Sequence, residues 1–104
     1  MVVIKKRRKA KIADLPLGFY ADILVKGSPV RRAWHVLKFE RIKDYFPAGD
    51  AARSVLDVGC CSGAFLAQLP ESAFGRQVGV DILAPQIGYA QSHYGTAFRS
   101  FVAI

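Results

Sequence analysis

The chain has 104 residues, 52% of them hydrophobic, a composition that folds and that excludes disordered, collagen-like and low-complexity architectures. At this length one modest domain is the ceiling, which excludes a large two-domain enzyme. The net charge of +7 is lopsided: Lys5, Lys6, Arg7, Arg8, Lys9 and Lys11 supply six charges, whereas residues 12–104 hold nine Lys/Arg against eight Asp/Glu.

The basic run is therefore expected to be a solvated tail over residues 1–12, with contact to a nucleic-acid backbone as the function it offers, and no domain-wide binding stripe is implied. Behind it, Asp14, Pro16 and Asp22 interrupt any signal-peptide core, and no apolar run reaches the roughly 18 residues of a membrane span. The two cysteines, Cys60 and Cys61, are adjacent. That placement suits neither a disulfide framework nor a spaced metal site, so no metal is expected and a reducing cytoplasm is the natural setting.

Residues 13–53 read as an N-terminal helical segment. Leu15 to Pro29 is irregular, punctuated by Pro16, Gly18, Gly27 and Pro29. From Val30 to Phe46 no Gly or Pro occurs, and Val30, Ala33, Trp34 and Leu37 recur at helical spacing, continued by Ile42, Tyr45 and Phe46. An amphipathic helix is predicted there, with Trp34, Phe39, Tyr45 and Phe46 in the core and Arg31, Arg32 and Arg41 on a solvated face. Pro47, Ala48 and Gly49 should stop it. His35 carries no assigned role, and His93 is placed near a helix C-terminus, where the dipole favours it.

Residues 54–104 alternate strand and helix. Val55, Leu56 and Val58 form the nearly continuous apolar run of a buried parallel strand, Gly59 to Gly63 a small-residue turn, and Ala64 to Leu69 the start of a helix. Gln77 to Ile82 reads as a second strand, about Pro85 to Tyr94 as a second helix stopped by Gly95, and Phe98 to Ile104 as room for a third strand. The order predicts α/β architecture: a Rossmann-like, doubly wound parallel sheet, here incomplete, with the N-terminal helix, two to three strands and two helices.

A glycine-rich link from strand to helix lets a ligand approach the main chain, and open α/β sheets bind ligands beyond the carboxyl ends of their strands. Asp57 and Asp81 both fall at that edge. A carboxylate ending the second strand can accept hydrogen bonds from both ribose hydroxyls, so a nucleoside-bearing cofactor is the inference. A dinucleotide fingerprint is met only at its first and last positions, Gly59 and Ala64.

The string Val55-Leu56-Asp57-Val58-Gly59-Cys60-Cys61-Ser62-Gly63 resembles the first motif of the class I S-adenosylmethionine-dependent methyltransferases. Val80-Asp81-Ile82, with Pro85, Ile87 and Ala90, is similar to that family's second strand and following helix. The resemblance covers about residues 54–95. It implies a methyltransferase whose cofactor, S-adenosylmethionine, is cradled at its methionine portion by the Gly59, Cys60, Cys61 and Gly63 stretch. Asp57 would orient the amino group, Asp81 hold the ribose and Ile82 pack on the adenine. Cys61 stands where the family usually has glycine, and its side chain must turn away from the cofactor or crowd it. No catalytic residue and no methyl acceptor can be named.

Two other readings stay open: a small basic RNA-binding or interaction protein with a non-catalytic α/β body, and a dinucleotide-dependent oxidoreductase. Length bears on all three. With roughly 30 residues per strand–helix–strand unit, the residues from Ser54 hold about half of the methyltransferase sheet. The expectation is a cofactor-binding half too short to act alone, with an open sheet edge suited to a partner chain or self-association.

Overall fold

The computed structural model describes residues 15–19, 22, 26–46 and 48–104. The basic tail assigned to residues 1–12 lies outside them. Helix α1 spans Pro29–Lys43. Ser28 starts it by accepting the Arg31 N–H at 3.4 Å, Pro29 occupies its first turn, and Arg41 and Lys43 sit at its negative end.

The helix ends three residues short of the predicted Phe46. Tyr45 and Phe46 donate to the carbonyls of Ile42 and Lys43, at 3.1 and 3.0 Å, and this tighter turn carries Phe46 inward. Its ring meets Phe74 edge-on, with 5.0 Å between centroids. The predicted apolar face also needs correction. Phe39 is the buried residue of α1 and docks on Phe65 at 5.2 Å. At 100° per residue the stripe of Val30, Trp34 and Leu37 then points away from the sheet, and it is exposed. Trp34 is 67% and Tyr45 88% accessible, so neither belongs to the core.

Three strands, β1 (Asp50–Val58), β2 (Phe74–Asp81) and β3 (Arg99–Ala103), form a parallel sheet in the order β1-β2-β3. Leu56 pairs with Val78, and Val80 with Val102. Helix α2 (Ala84–Tyr94) makes the β2-to-β3 crossover, with Gly95 as its cap. The β1-to-β2 crossover holds no α-helix. The helix predicted from Ala64 is a single 3₁₀ turn, Leu66–Gln68. Pro70 prevents its extension, and the Gln77 amide donates to the carbonyls of Leu69, Pro70 and Phe74, fixing the chain in a turn.

The core lies on one face of the sheet, where Cys60, Leu66, Leu69, Phe74, Ile87, Ala90 and Phe101 form one cluster. Burying a side chain such as Leu66, which has no exposed surface, stabilises the fold by roughly 1.5–3 kcal/mol. The strand period of two sends Leu56, Val58 and Val102 to the opposite face, where they are exposed beside half-buried Val78 and Val80. β1 is therefore covered on one side only among the described residues, not on both as its apolar run predicts.

A buried guanidinium secures the end of the sheet away from the glycine turn. Arg99 donates from Nε to Gln77 Oε1 at 2.9 Å, and from its terminal nitrogens to the carbonyls of Leu69 at 2.7 Å and Tyr94 at 3.2 Å. At the other end, buried Gln86 holds the turn segment from Leu15 to Gly18. Its amide donates to the Leu15 and Pro16 carbonyls and accepts the Gly18 N–H. No helix among the described residues is long and apolar enough to cross a membrane.

Candidate functional site

The carboxyl end of β1, the turn that follows it and the near side of α1 line a cleft of about 440 Å³. This is the size range of small-molecule and cofactor sites. Asp57, Gly59, Cys60 and Cys61 form one wall, with Lys38, Phe39 and Phe65 among the residues opposite. The chemistry-bearing wall was legible in the sequence. The aromatic wall was not, because Phe39 and Phe65 carry no motif and meet only through tertiary packing.

The turn is built by hydrogen bonds to β2. Gly59 and Cys60 both donate to the Val80 carbonyl, at 2.8 and 3.1 Å. Gly59 has φ of 79°, where a side chain is disfavoured, and a Cβ there would meet nothing within 4 Å. Space is thus kept open directly over the backbone. Gly63 works differently: a Cβ would come within 2.6 Å of the Phe101 ring, so this glycine lets the turn settle onto the core. It does not line the cleft. Cys61 adopts φ of 50°, a left-handed conformation costly to a residue with a β-carbon.

Asp81 is 8% exposed, and both its oxygens are engaged. Oδ2 accepts the Cys61 N–H and Oδ1 the Leu83 N–H, each at 2.8 Å. Each carboxylate oxygen keeps a second lone pair for a ligand hydroxyl. Ile82, beside it, is 73% exposed and presents a bare apolar surface at the sheet edge. Asp81 and Ile82 flank the turn and stand outside the cleft wall formed by Asp57, Gly59, Cys60 and Cys61.

Burial pushes the Asp57 carboxyl above its usual 3.8, and the nearby Asp81 charge pushes it further in the same direction. A cationic ligand group would relieve both effects. The Cys60 thiol is pushed up to about 12, chiefly by burial and then by Asp57 and Asp81, and Cys61 is also raised by burial. Neither thiol has the depressed pKa of a nucleophile. His93 Nδ1–H donates to the Tyr89 carbonyl at 2.9 Å, and its ring stacks on that of Tyr89. Among the described residues no cluster of three His, Cys, Asp or Glu could hold a metal.

The elements and the cleft together define a Rossmann-like α/β fold with a cleft beside the glycine turn. No protein-family model and no curated protein matches the chain. Solved structures do. The N-methyltransferase NodS of Bradyrhizobium japonicum, in complex with S-adenosyl-L-homocysteine, superposes with a TM-score of 0.58 at 24% identity over 78% of this chain and 39% of that one. A SAM-dependent methyltransferase of Anabaena variabilis gives 0.51 at 22% identity over 99% of this chain and 43% of its own. A complex of the Trm112 methyltransferase activator with a methyltransferase from Haloferax volcanii gives 0.51 at 22% identity, over 69% and 37%.

The chain therefore shares the Rossmann-like α/β fold of these methyltransferase structures over part of their length. It spans 37 to 43% of the length of the solved chains it matches.

Proposed function

We propose that this chain is the S-adenosylmethionine-binding half of a methyltransferase. The observation that carries the reading is the cleft at the end of β1, walled by Asp57 and the open backbone of Gly59 to Cys61. Its residues fit the cofactor. Asp57 would take the ammonium group, which relieves the crowding of two carboxylates. The bare backbone at Gly59, with Cys60 and Cys61, would border the methionine portion. Asp81 would offer its remaining lone pairs to the ribose, with Ile82 beneath the adenine. Gly63 serves the same site from below, by letting the turn rest on Phe101.

When bound, the cofactor supplies a methyl group made electrophilic by its sulfonium. The chain's contribution is positioning: fixing that group at a cleft mouth where an acceptor can meet it in line. The bare face of Leu56, Val58 and Val102 supports a companion proposal, that a partner chain or second copy covers the sheet and supplies the acceptor side. The solved Haloferax assembly, in which a methyltransferase is held with an activator, is a precedent for such pairing. Two free thiols suit a cytoplasmic location.

Calorimetric titration with S-adenosylhomocysteine tests the reading. Saturable binding that is weakened by Asp81→Ala and unaffected by excess NAD supports it. Absence of binding, or binding of NAD instead, overturns it.

A further inference from the structure

The charge of the chain is segregated between its two parts. Residues 1–46 hold twelve Lys/Arg against four Asp/Glu, a net of +8, while residues 47–104 hold three against four, a net of −1. Within the described residues this charge concentrates on α1, which also lines the cleft through Lys38. The two acids at its end are already engaged: Glu40 with Lys43 at 2.9 Å and Asp44 with Arg41 at 3.8 Å. Arg31 and Arg32 make no ion pair among the described residues, and Arg31 lies over the Phe19 ring at 5.9 Å.

The same helix presents an aromatic residue to solvent. Trp34 is 67% exposed on the side opposite Phe39, between Arg31 and Arg41 along the helix. We infer that the outer face of α1, centred on Trp34 and flanked by Arg31 and Arg41, is a binding surface for single-stranded nucleic acid beside the cleft. Guanidinium groups neutralise phosphates, and an exposed indole supplies a face on which any base stacks. A lipid surface fits less well. An interfacial helix keeps its apolar side free of charge, whereas Arg41 continues the stripe of Val30, Trp34 and Leu37 one turn on, and Phe39 faces the sheet. This surface is independent of the cofactor reading, since it is defined without reference to Asp57, Asp81 or the glycine turn.

The chain has one tryptophan, so its emission reports this surface alone. The experiment is a titration of the full chain with a short oligouridylate RNA, without cofactor, over a series of salt concentrations. Stacking should quench Trp34. Trp34→Ala should weaken binding about tenfold, and Trp34→Phe should retain most of it. Arg31→Gln with Arg41→Gln should lower the salt slope by about 1.4. Three outcomes overturn the inference: no RNA binding, binding abolished by Lys/Arg→Gln changes at residues 5–11 with Trp34 emission unaltered throughout, or a blue shift on phosphatidylglycerol vesicles with none of these RNA effects. The Phe and Gln variants keep the test decisive if Trp34→Ala does not fold.

Discussion

The Cys61 N–H donates to Asp81 Oδ2 at 2.8 Å, so the turn after β1 is pinned to the carboxylate that ends β2, 20 residues further on. The carboxylate predicted to hold a ribose is also a structural acceptor for the backbone that would border the rest of the ligand. Under the proposed function, binding and local stability are coupled at this residue.

Asp81→Asn keeps the shape but leaves one acceptor oxygen for two backbone donors. Burying an unpaired N–H costs about 1–3 kcal/mol. Denaturant unfolding should show that loss in the absence of ligand, and calorimetry should show weaker S-adenosylhomocysteine binding. Unchanged stability would mean that the two backbone bonds are not made in solution.

Asp57 sets a pH dependence. Its folded-state pKa is raised above 3.8, by burial first and by Asp81 second, so the folded chain binds more protons than the unfolded one above that pH. Stability attributable to this group is full below 3.8 and declines as pH rises through the raised folded value. Asp57→Asn should remove that decline, raising Tm near neutral pH while weakening cofactor binding. Thermal melts from pH 3 to pH 8 check the first part and calorimetry the second.

Cys61→Gly should stabilise the chain by about 1 kcal/mol, because glycine takes a left-handed φ without the β-carbon penalty. S-adenosylhomocysteine should also bind more tightly, since the site then needs no displaced side chain. Paired unfolding and titration curves separate the two gains. A stability gain without tighter binding would show that Cys61 already turns away from the ligand.

Cys60 is expected to resist alkylation. With its thiol pushed up to about 12 by burial and two nearby carboxylates, the thiolate is scarce at pH 8. Mass spectrometry after iodoacetamide treatment should find Cys60 unmodified in the folded chain and modified in urea. Rapid labelling of the native form would contradict the buried turn.

Gln77→Ala removes at once the acceptor for Arg99 Nε and the amide group that donates to the Leu69, Pro70 and Phe74 carbonyls. A hydrogen bond to a charged group contributes about 1.5–3 kcal/mol, and the loss should appear as a lower urea midpoint. Arg99→Met, which removes the charge along with its need for partners, should cost less when made in the Gln77→Ala background than in the native chain.

The sequence by itself determined the order of elements and the wall of the cleft that carries polar chemistry. Those features rest on local causes: an alternation of apolar runs, a proline or glycine at each exit, and a glycine turn after a strand ending in Asp57 and Val58. β2, α2 and β3 accordingly fall where the pattern puts them. Tertiary structure decided what local pattern cannot. Which face of α1 is buried depended on Phe39 finding Phe65, and that choice left Trp34 in solvent. The helix expected after the turn shrank to one 3₁₀ turn because Gln77, eight residues beyond Leu69, captured its carbonyl and those of its neighbours. The apolar run of β1 named a strand with two faces to cover. Only the packed sheet showed that one of them, bearing Leu56 and Val58, has no covering layer among the described residues.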